Sequence, residues 1–304
     1  MAAALPAGGG GGPPAPPGDA RVAGRWRVVA RRFAARRLAL VGLAVLAALF
    51  ALAFVGPHLS PWSHADRDFD AFLLGPSAEH PFGTTQTGGD VFALTLRGMQ
   101  KSLIIGLLVA VVSTAIAAIV GAFAGYFGGR VERVLMWLVD LLLVLPAFLI
   151  VAILSPAFRG GSWLLLVVLL AAFLWMVTAR IVRGMTLSLR EREYVIAARY
   201  MGVPAPTIVF RHILPNVSSL LIIDATINVS AAIIAETGLA YFGFGVQPPD
   251  VSLGTIISDG TRSAVTHPWL FAFPGGALVL IVLAVNLVGD GLRDALDPSS
   301  GGSR

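Results

Sequence analysis

The chain has 304 residues, of which 56% are hydrophobic and only 13% are charged, whereas a soluble domain carries about 25% charge. The excess sits in long uncharged runs, so water is not the solvent for most of the chain. There is no cysteine, which excludes a disulfide scaffold, thiolate metal sites and thiol catalysis. A net charge of +5 would suit a polyanion, but the basic residues are nearly all Arg and lie beside the apolar runs. Membrane topology explains that placement better than phosphate binding, and no nucleic-acid partner is expected.

Residues 1–20 are mostly Ala, Gly and Pro with Asp19 as the one charged side chain; this composition predicts a disordered tail. Residues 21–101 read as a basic segment, a first transmembrane helix and an extracytoplasmic loop. Arg21, Arg25, Arg27, Arg31, Arg32, Arg36 and Arg37 precede the uncharged run Leu38–Val55, about 27 Å long as a helix and close to the hydrocarbon thickness. Ala51-Leu52-Ala53 imitates a signal-peptide cleavage site, yet the run is too long and starts too late for one.

Five further spans follow in a core of residues 102–298: Ser102–Phe127, Val134–Leu154 with Asp140 and Pro146 inside, Ser162–Ala179, Val217–Ala235 with Asp224 inside, and Trp269–Gly289. Residues 299–304 form a short tail. Six spans place both termini on one side. Assigning that side to the cytoplasm puts 17 of the 22 basic residues inside, so the positive-inside rule gives N-in and C-in. Arg67, Arg97, Lys101, Arg159 and Arg262 remain outside. The long outer connections, residues 56–101 and 236–268, read as ordered caps over the membrane domain. The expected fold is an all-α polytopic membrane protein with six transmembrane helices.

The cytoplasmic connection 190–216 carries the most information. Tyr194, Ala197, Ala198 and Met201 fall at i, i+3, i+4 and i+7 and predict one face of a short helix, with two Ala that let another backbone come close. Gly202 fits the left-handed stop of that helix. Val203-Pro204-Ala205-Pro206 is a stiff turn, Pro206 suits the first position of a second helix over Thr207–Leu214, and Pro215 starts the element that re-enters the membrane. Such a helix pair either lies on the headgroups or docks a partner.

Tyr194-x-x-Ala197-Ala198-Arg199-x-x-Gly202 followed by His212-Ile213-Leu214-Pro215-Asn216 resembles the coupling motif of ATP-binding-cassette importer permeases, specifically the second permease of the dipeptide/oligopeptide/nickel branch. Ile196 stands where that family has a glutamate. His80-Pro81-Phe82-Gly83-Thr84, Gly88-x-Asp90, Gly121-x-x-x-Gly125-Tyr126, Glu236-x-x-Leu239-x-Tyr241-Phe242-Gly243 and Asn286–Pro298 match the same family, so the resemblance covers about residues 30–298. It implies the type I importer permease fold, in a bacterial inner membrane. It also implies a subunit that forms part of the path for di- or oligopeptides, or for nickel, glutathione or another small solute. The implied partners are a homologous permease, two ATP-binding subunits docked at Tyr194, Ala197, Ala198, Arg199, Gly202, His212, Leu214 and Pro215, an extracytoplasmic solute-binding protein, and the bilayer.

Asp140, Asp224 and Glu236 are the acids in or beside the spans. A carboxylate at that depth faces protein or water, so each is a path-lining group, an interhelical hydrogen-bond acceptor or a group near the membrane interface. Arg180 and Arg183 read as side chains snorkelling to the inner headgroups. No enzyme site emerges: the five His show no ligand spacing on a helix, and no metal or cofactor is expected on the chain. Lys101 is the only lysine and follows Gln100, so the chain has no P-loop and ATP would sit on a partner. An ion-gradient transporter would need paired membrane acids and an inverted repeat. An intramembrane enzyme would need a nucleophile–base pair. Neither pattern is present in the sequence.

Overall fold

The computed structural model describes residues 19–154 and 162–296. The expected tails before residue 19 and after 296, the end of the family resemblance at Asp297-Pro298, and Arg159 lie outside the described residues. Twelve helices cover most of the rest: α1 (Asp19–Ala34), α2 (Arg37–Leu59), α3 (Val91–Phe127), α4 (Gly129–Val144), α5 (Ala147–Leu154), α6 (Leu164–Leu174), α7 (Met176–Arg190), α8 (Glu193–Tyr200), α9 (Ala205–Ile208), α10 (Leu214–Tyr241), α11 (Leu253–Thr261) and α12 (Trp269–Leu296). Asp19 and Ala20, expected in the disordered tail, already belong to α1.

Four stretches are long and apolar enough to cross a bilayer without a break: α2, α3, the continuous run Ala205–Tyr241 and α12. The other two expected spans are bent pairs. α4 and α5 meet at 76°, and α6 and α7 at 46°. Counting each pair as one crossing gives six. The first bend falls at Pro146, where α4 ends: Leu145 adopts an extended conformation, as the residue before a proline tends to.

α3 is the centre of the bundle. It packs most extensively on α7 and α10 and also touches α2, α4, α6, α11 and α12. The sequence boundary at residue 101 falls inside it. α3 begins at Val91 because Asp90 caps it, its Oδ1 accepting from the Ala93 amide at 2.7 Å. At 37 residues it runs about 55 Å, so its first turns stand outside the hydrocarbon. Arg97 and Lys101 do not end the helix, because both find an acid in the outer loop, as described below. Gly121 and Gly125 let α7 approach closely. A Cβ on Gly121 would sit 2.5 Å from the Ala179 carbonyl oxygen, and one on Gly125 2.7 Å from that of Arg183. This is the small-xxx-small packing of membrane helices.

Large apolar side chains face outward on α2 and α4–α7, among them Leu38, Val134, Trp137, Val144, Ile153 and Val177. A water-soluble monomer does not expose so much apolar surface; lipid or another apolar chain covers such faces.

Candidate functional site

On the cytoplasmic side, α8 lies against the inner ends of three spans. Val195 and Ala198 are buried in one cluster with Ala122 of α3, Val182 of α7, and Ile208, Val209 and Ile213 below α10. Ala198, expected on the docking face, therefore points into the protein and is 3% exposed. The helix is turned so that the Val195–Ala198 stripe, three residues apart, faces inward. Tyr194, Ala197 and Met201 remain outside with Tyr200, which is 88% exposed. Arg199 is exposed beside them.

Gly202 stops α8 as its position suggested. Its φ is +76°, its amide donates to the Arg199 carbonyl at 3.1 Å and the Val203 amide to the Ala198 carbonyl at 3.1 Å. These two bonds define a Schellman cap. Pro204 then turns the chain into α9.

No independent second helix follows. α9 passes through one π-helical turn, Val209–Ile213, directly into α10, with the Leu214 amide reaching the Val209 carbonyl five residues back. Pro215 supplies the cause, since it has no amide proton and its ring crowds the carbonyl four residues earlier. The Asn216 side-chain amide donates to the His212 carbonyl at 2.6 Å. His212 sits 6.4 Å from the Tyr194 ring, centroid to centroid. Leu214 packs on the edge of the buried cluster, and Pro215 is exposed. The elbow and the α10 span are thus one continuous piece. Arg190 also ties the end of α7 to α3 by donating to the Gly125 carbonyl at 3.0 Å. Phe210, 52% exposed, adds to the outward apolar face, and the sequence offered no signal for it.

The three membrane carboxylates are all engaged. Asp140 pairs with Arg180, and Glu132 with Arg183, whose Nε donates at 2.6 Å. These pairs join α4 to α7 beside a cavity of about 760 Å³. Both arginines, read from sequence as snorkelling side chains, thus have a carboxylate partner, and the Arg180–Asp140 pair is half-exposed. Asp224 accepts from Thr178 Oγ1 at 2.7 Å, Asn228 Nδ2 at 2.9 Å and Thr114 Oγ1 at 3.4 Å. One carboxylate thereby pins α10 to α7 and α3. Glu236 is fully buried and accepts from Ser252 Oγ at 2.6 Å, joining α10 to the start of α11. Of the three, Asp140 lines the cavity between α4 and α7.

The outer face is fastened by further polar contacts. Lys101, 6% exposed, donates to Asp250 at 2.9 Å and lies 4.5 Å from the Trp163 ring. Arg97 reaches the same carboxylate at 3.4 Å. Ser102 Oγ accepts from the Leu253 amide at 3.1 Å. His80 bridges Asp90, at 2.8 Å, and Asp68, at 3.4 Å. Burial pulls the His80 pKa down, but the hydrogen bonds to Asp90 and Asp68 more than offset it, and the net shift is upward.

This architecture, with broken spans around one central helix and a short elbow continuous with a span, is that of a transport permease. Residues 117–301 match the family of binding-protein-dependent transport system inner membrane components, and residues 24–76 match the N-terminal TM domain of oligopeptide transport permease C. The chain belongs to this family of ATP-binding-cassette importer permeases, in its dipeptide/oligopeptide branch. It is a multi-pass protein of the bacterial inner membrane and a non-catalytic transport subunit. It is 57% identical over 279 residues to the oligopeptide transport system permease protein OppC of Mycobacterium tuberculosis, covering 91% of this chain and 96% of that protein. It is 41% identical to a putative peptide permease protein of Brucella suis, covering 88% and 89%. The dipeptide transport system permease protein DppC of Bacillus subtilis is 39% identical, covering 88% and 84%.

Proposed function

We propose that the chain forms one half of the translocation path for di- or oligopeptides, and that force reaches it through α8 from an ATP-hydrolysing partner. The observation that carries this reading is the elbow. An exposed face of Tyr194, Ala197, Tyr200 and Met201, with Arg199 beside it, is a surface of the kind that protein partners bury. Its inner face is packed on three spans at once. A displacement of α8 is therefore a displacement of α3, α7 and α10. No covalent chemistry and no cofactor on this chain are needed. The assembly takes a homologous permease against the exposed apolar spans, two ATP-binding subunits below and a solute-binding protein above. The peptide substrate is carried over from the relatives' names.

The absence of cysteine makes the test clean. In the assembled importer, a single Ala197→Cys chain should form a disulfide with a cysteine placed in the cleft of the ATP-binding partner, and the bond should block peptide uptake. Cross-linking to no ATPase would overturn the docking role. Uptake of nickel or glutathione in place of peptides would overturn the substrate alone. Gradient-driven uptake by the purified chain without ATP would replace the reading with a secondary transporter.

A further inference from the structure

The outer cap holds a group of metal-ligand side chains that the transport role does not use. Among the described residues, Asp68, Glu79 and His80 bring a carboxylate oxygen, a second carboxylate oxygen and an imidazole nitrogen within 4.8 Å of one another. His80 is 2% exposed, and its ring is walled on one side by Trp62 at 5.0 Å between centroids. Its Nδ1 is held by Asp90 Oδ2 at 2.8 Å, while Asp90 Oδ1 is fixed by capping α3. That leaves Nε2 directed at Asp68 Oδ2, 3.4 Å away.

This is the arrangement that orients a metal-binding histidine: a carboxylate on one nitrogen sets the tautomer and the ring angle, and the other nitrogen is presented to the ion. The His80–Asp68 spacing of 3.4 Å also fits, and the exposed Glu79 side chain, within 4.8 Å of both, has the freedom to close in. A tetrahedral ion with bonds of about 2.0 Å to nitrogen and oxygen separates neighbouring ligand atoms by about 3.3 Å. At 3.4 Å the Nε2–carboxylate distance is long for a charge-assisted hydrogen bond, which is about 2.7–2.9 Å. Asp68 is itself positioned, because its Oδ1 accepts from the Asp70 amide at 2.9 Å. Glu79 is exposed and lines, with Pro61, Trp62 and Pro81, a cleft of about 440 Å³.

We propose that Asp68, Glu79 and His80 bind a zinc-class divalent cation, with a water as the fourth ligand and Asp90 orienting His80 from behind. One nitrogen and two carboxylate oxygens suit Zn²⁺ and its first-row neighbours better than Mg²⁺ or Ca²⁺, which take oxygen alone. The ion would staple the loop at Asp68 and the turn at Glu79–His80 to the capped start of α3, so it would act on the cap and not on the coupling elbow. A second proton on His80 is the competing occupant of the same gap.

The test uses the tag-free full chain, purified in detergent, stripped with EDTA and offered Zn²⁺, with Co²⁺ as an optical probe. The expected result is one Zn²⁺ retained per chain through gel filtration, a higher melting temperature, and an intense visible Co²⁺ spectrum of low coordination number. Glu79→Gln changes only an exposed side chain and should weaken binding at least about tenfold; Asp68→Asn should do the same. Failure to retain Zn²⁺ would show a proton alone in the gap and overturn the proposal. Zn²⁺ binding of equal strength in both variants would place the ion at other histidines and overturn it as well.

Discussion

On the cytoplasmic side, α8 is held to α3, α7 and the root of α10 by Val195 and Ala198 packed among Ala122, Val182, Ile208, Val209 and Ile213. On the outer side, α3 also packs Met99 and Leu103 on Leu253 and Ile257 of α11, but there discrete polar contacts are added: Lys101 and Arg97 to Asp250, Ser102 to Leu253, and His80 to Asp90. The difference matches what each end has to do. Apolar packing is short-ranged but insensitive to direction, so it transmits a push from any angle and keeps the elbow rigid on its spans. Ion pairs and hydrogen bonds are specific in register and are broken or remade one at a time. An outer face that must open for solute and close behind it is suited to the second kind of contact.

The largest effect should come from prying apart the helices that the elbow drives. In Gly125→Leu a side chain meets the Arg183 backbone and Thr186, with its Cβ 2.7 Å from each, and the cost is about 3 kcal/mol or more, the upper end for forced overpacking. Uptake should vanish and the purified chain should melt well below the parent. Retained uptake would mean that α3 and α7 need not move as one body.

Next comes the cap. Lys101→Met leaves Asp250, 29% exposed at its side chain, with only the longer Arg97 contact, at a cost of about 2 kcal/mol once its partial hydration is discounted. Melting temperature is the readout. Adding Asp250→Asn should recover part of the loss, because the orphaned charge is then gone. A double variant no more stable than Lys101→Met would show that the pair does not fasten the cap.

The elbow itself should respond differently from both. At Gly202 a Cβ meets nothing within 4 Å, so Gly202→Val costs only the left-handed backbone, about 1–2 kcal/mol. That loss falls on the end of α8 and not on the bundle. ATP-driven uptake should drop while the melting temperature of the chain hardly moves, and Gly202→Asn, which tolerates this conformation, should retain most transport. A parallel fall in melting temperature would make the elbow part of the fold rather than a receiver of force.

How much of this was legible in the sequence depends on whether the signal was local. The apolar spans and the Gly202 stop rest on residues close together in the chain, and sequence alone yielded them. The rotation of α8 was not legible, because Val195 and Ala198 versus Tyr194 and Ala197 are alternative stripes of one amphipathic helix. The choice depends on what α3 and α7 place beneath it. The fate of the membrane acids was invisible for the same reason: Arg180 and Asp140 are partners across two helices 40 residues apart. The two bent spans were half legible. Pro146 marked the first, but nothing in Leu174-Trp175-Met176 announces a 46° bend. Asp68, Glu79 and His80 escaped because a search for helical ligand spacing does not see side chains gathered by a loop.

The smallest predicted effect tests whether polar pins in the membrane region behave like those of the cap. Asp224 takes one short hydrogen bond from Thr178, at 2.7 Å on α7, and a longer one from Thr114, at 3.4 Å on α3. Hydrogen bonds between membrane helices are worth about 0.6 kcal/mol on average. Thr178→Val should therefore lose about that much in a detergent melting or unfolding measurement, and Thr114→Val should lose less, since geometry beyond about 3.2 Å weakens the bond. In the Asp224→Asn background both effects should shrink, because an amide accepts less strongly than a carboxylate. If Thr178→Val instead abolished uptake at unchanged stability, Asp224 would have to be counted among the groups that meet solute, and the contrast between an apolar inner drive and a polar outer fastening would need a third, central element.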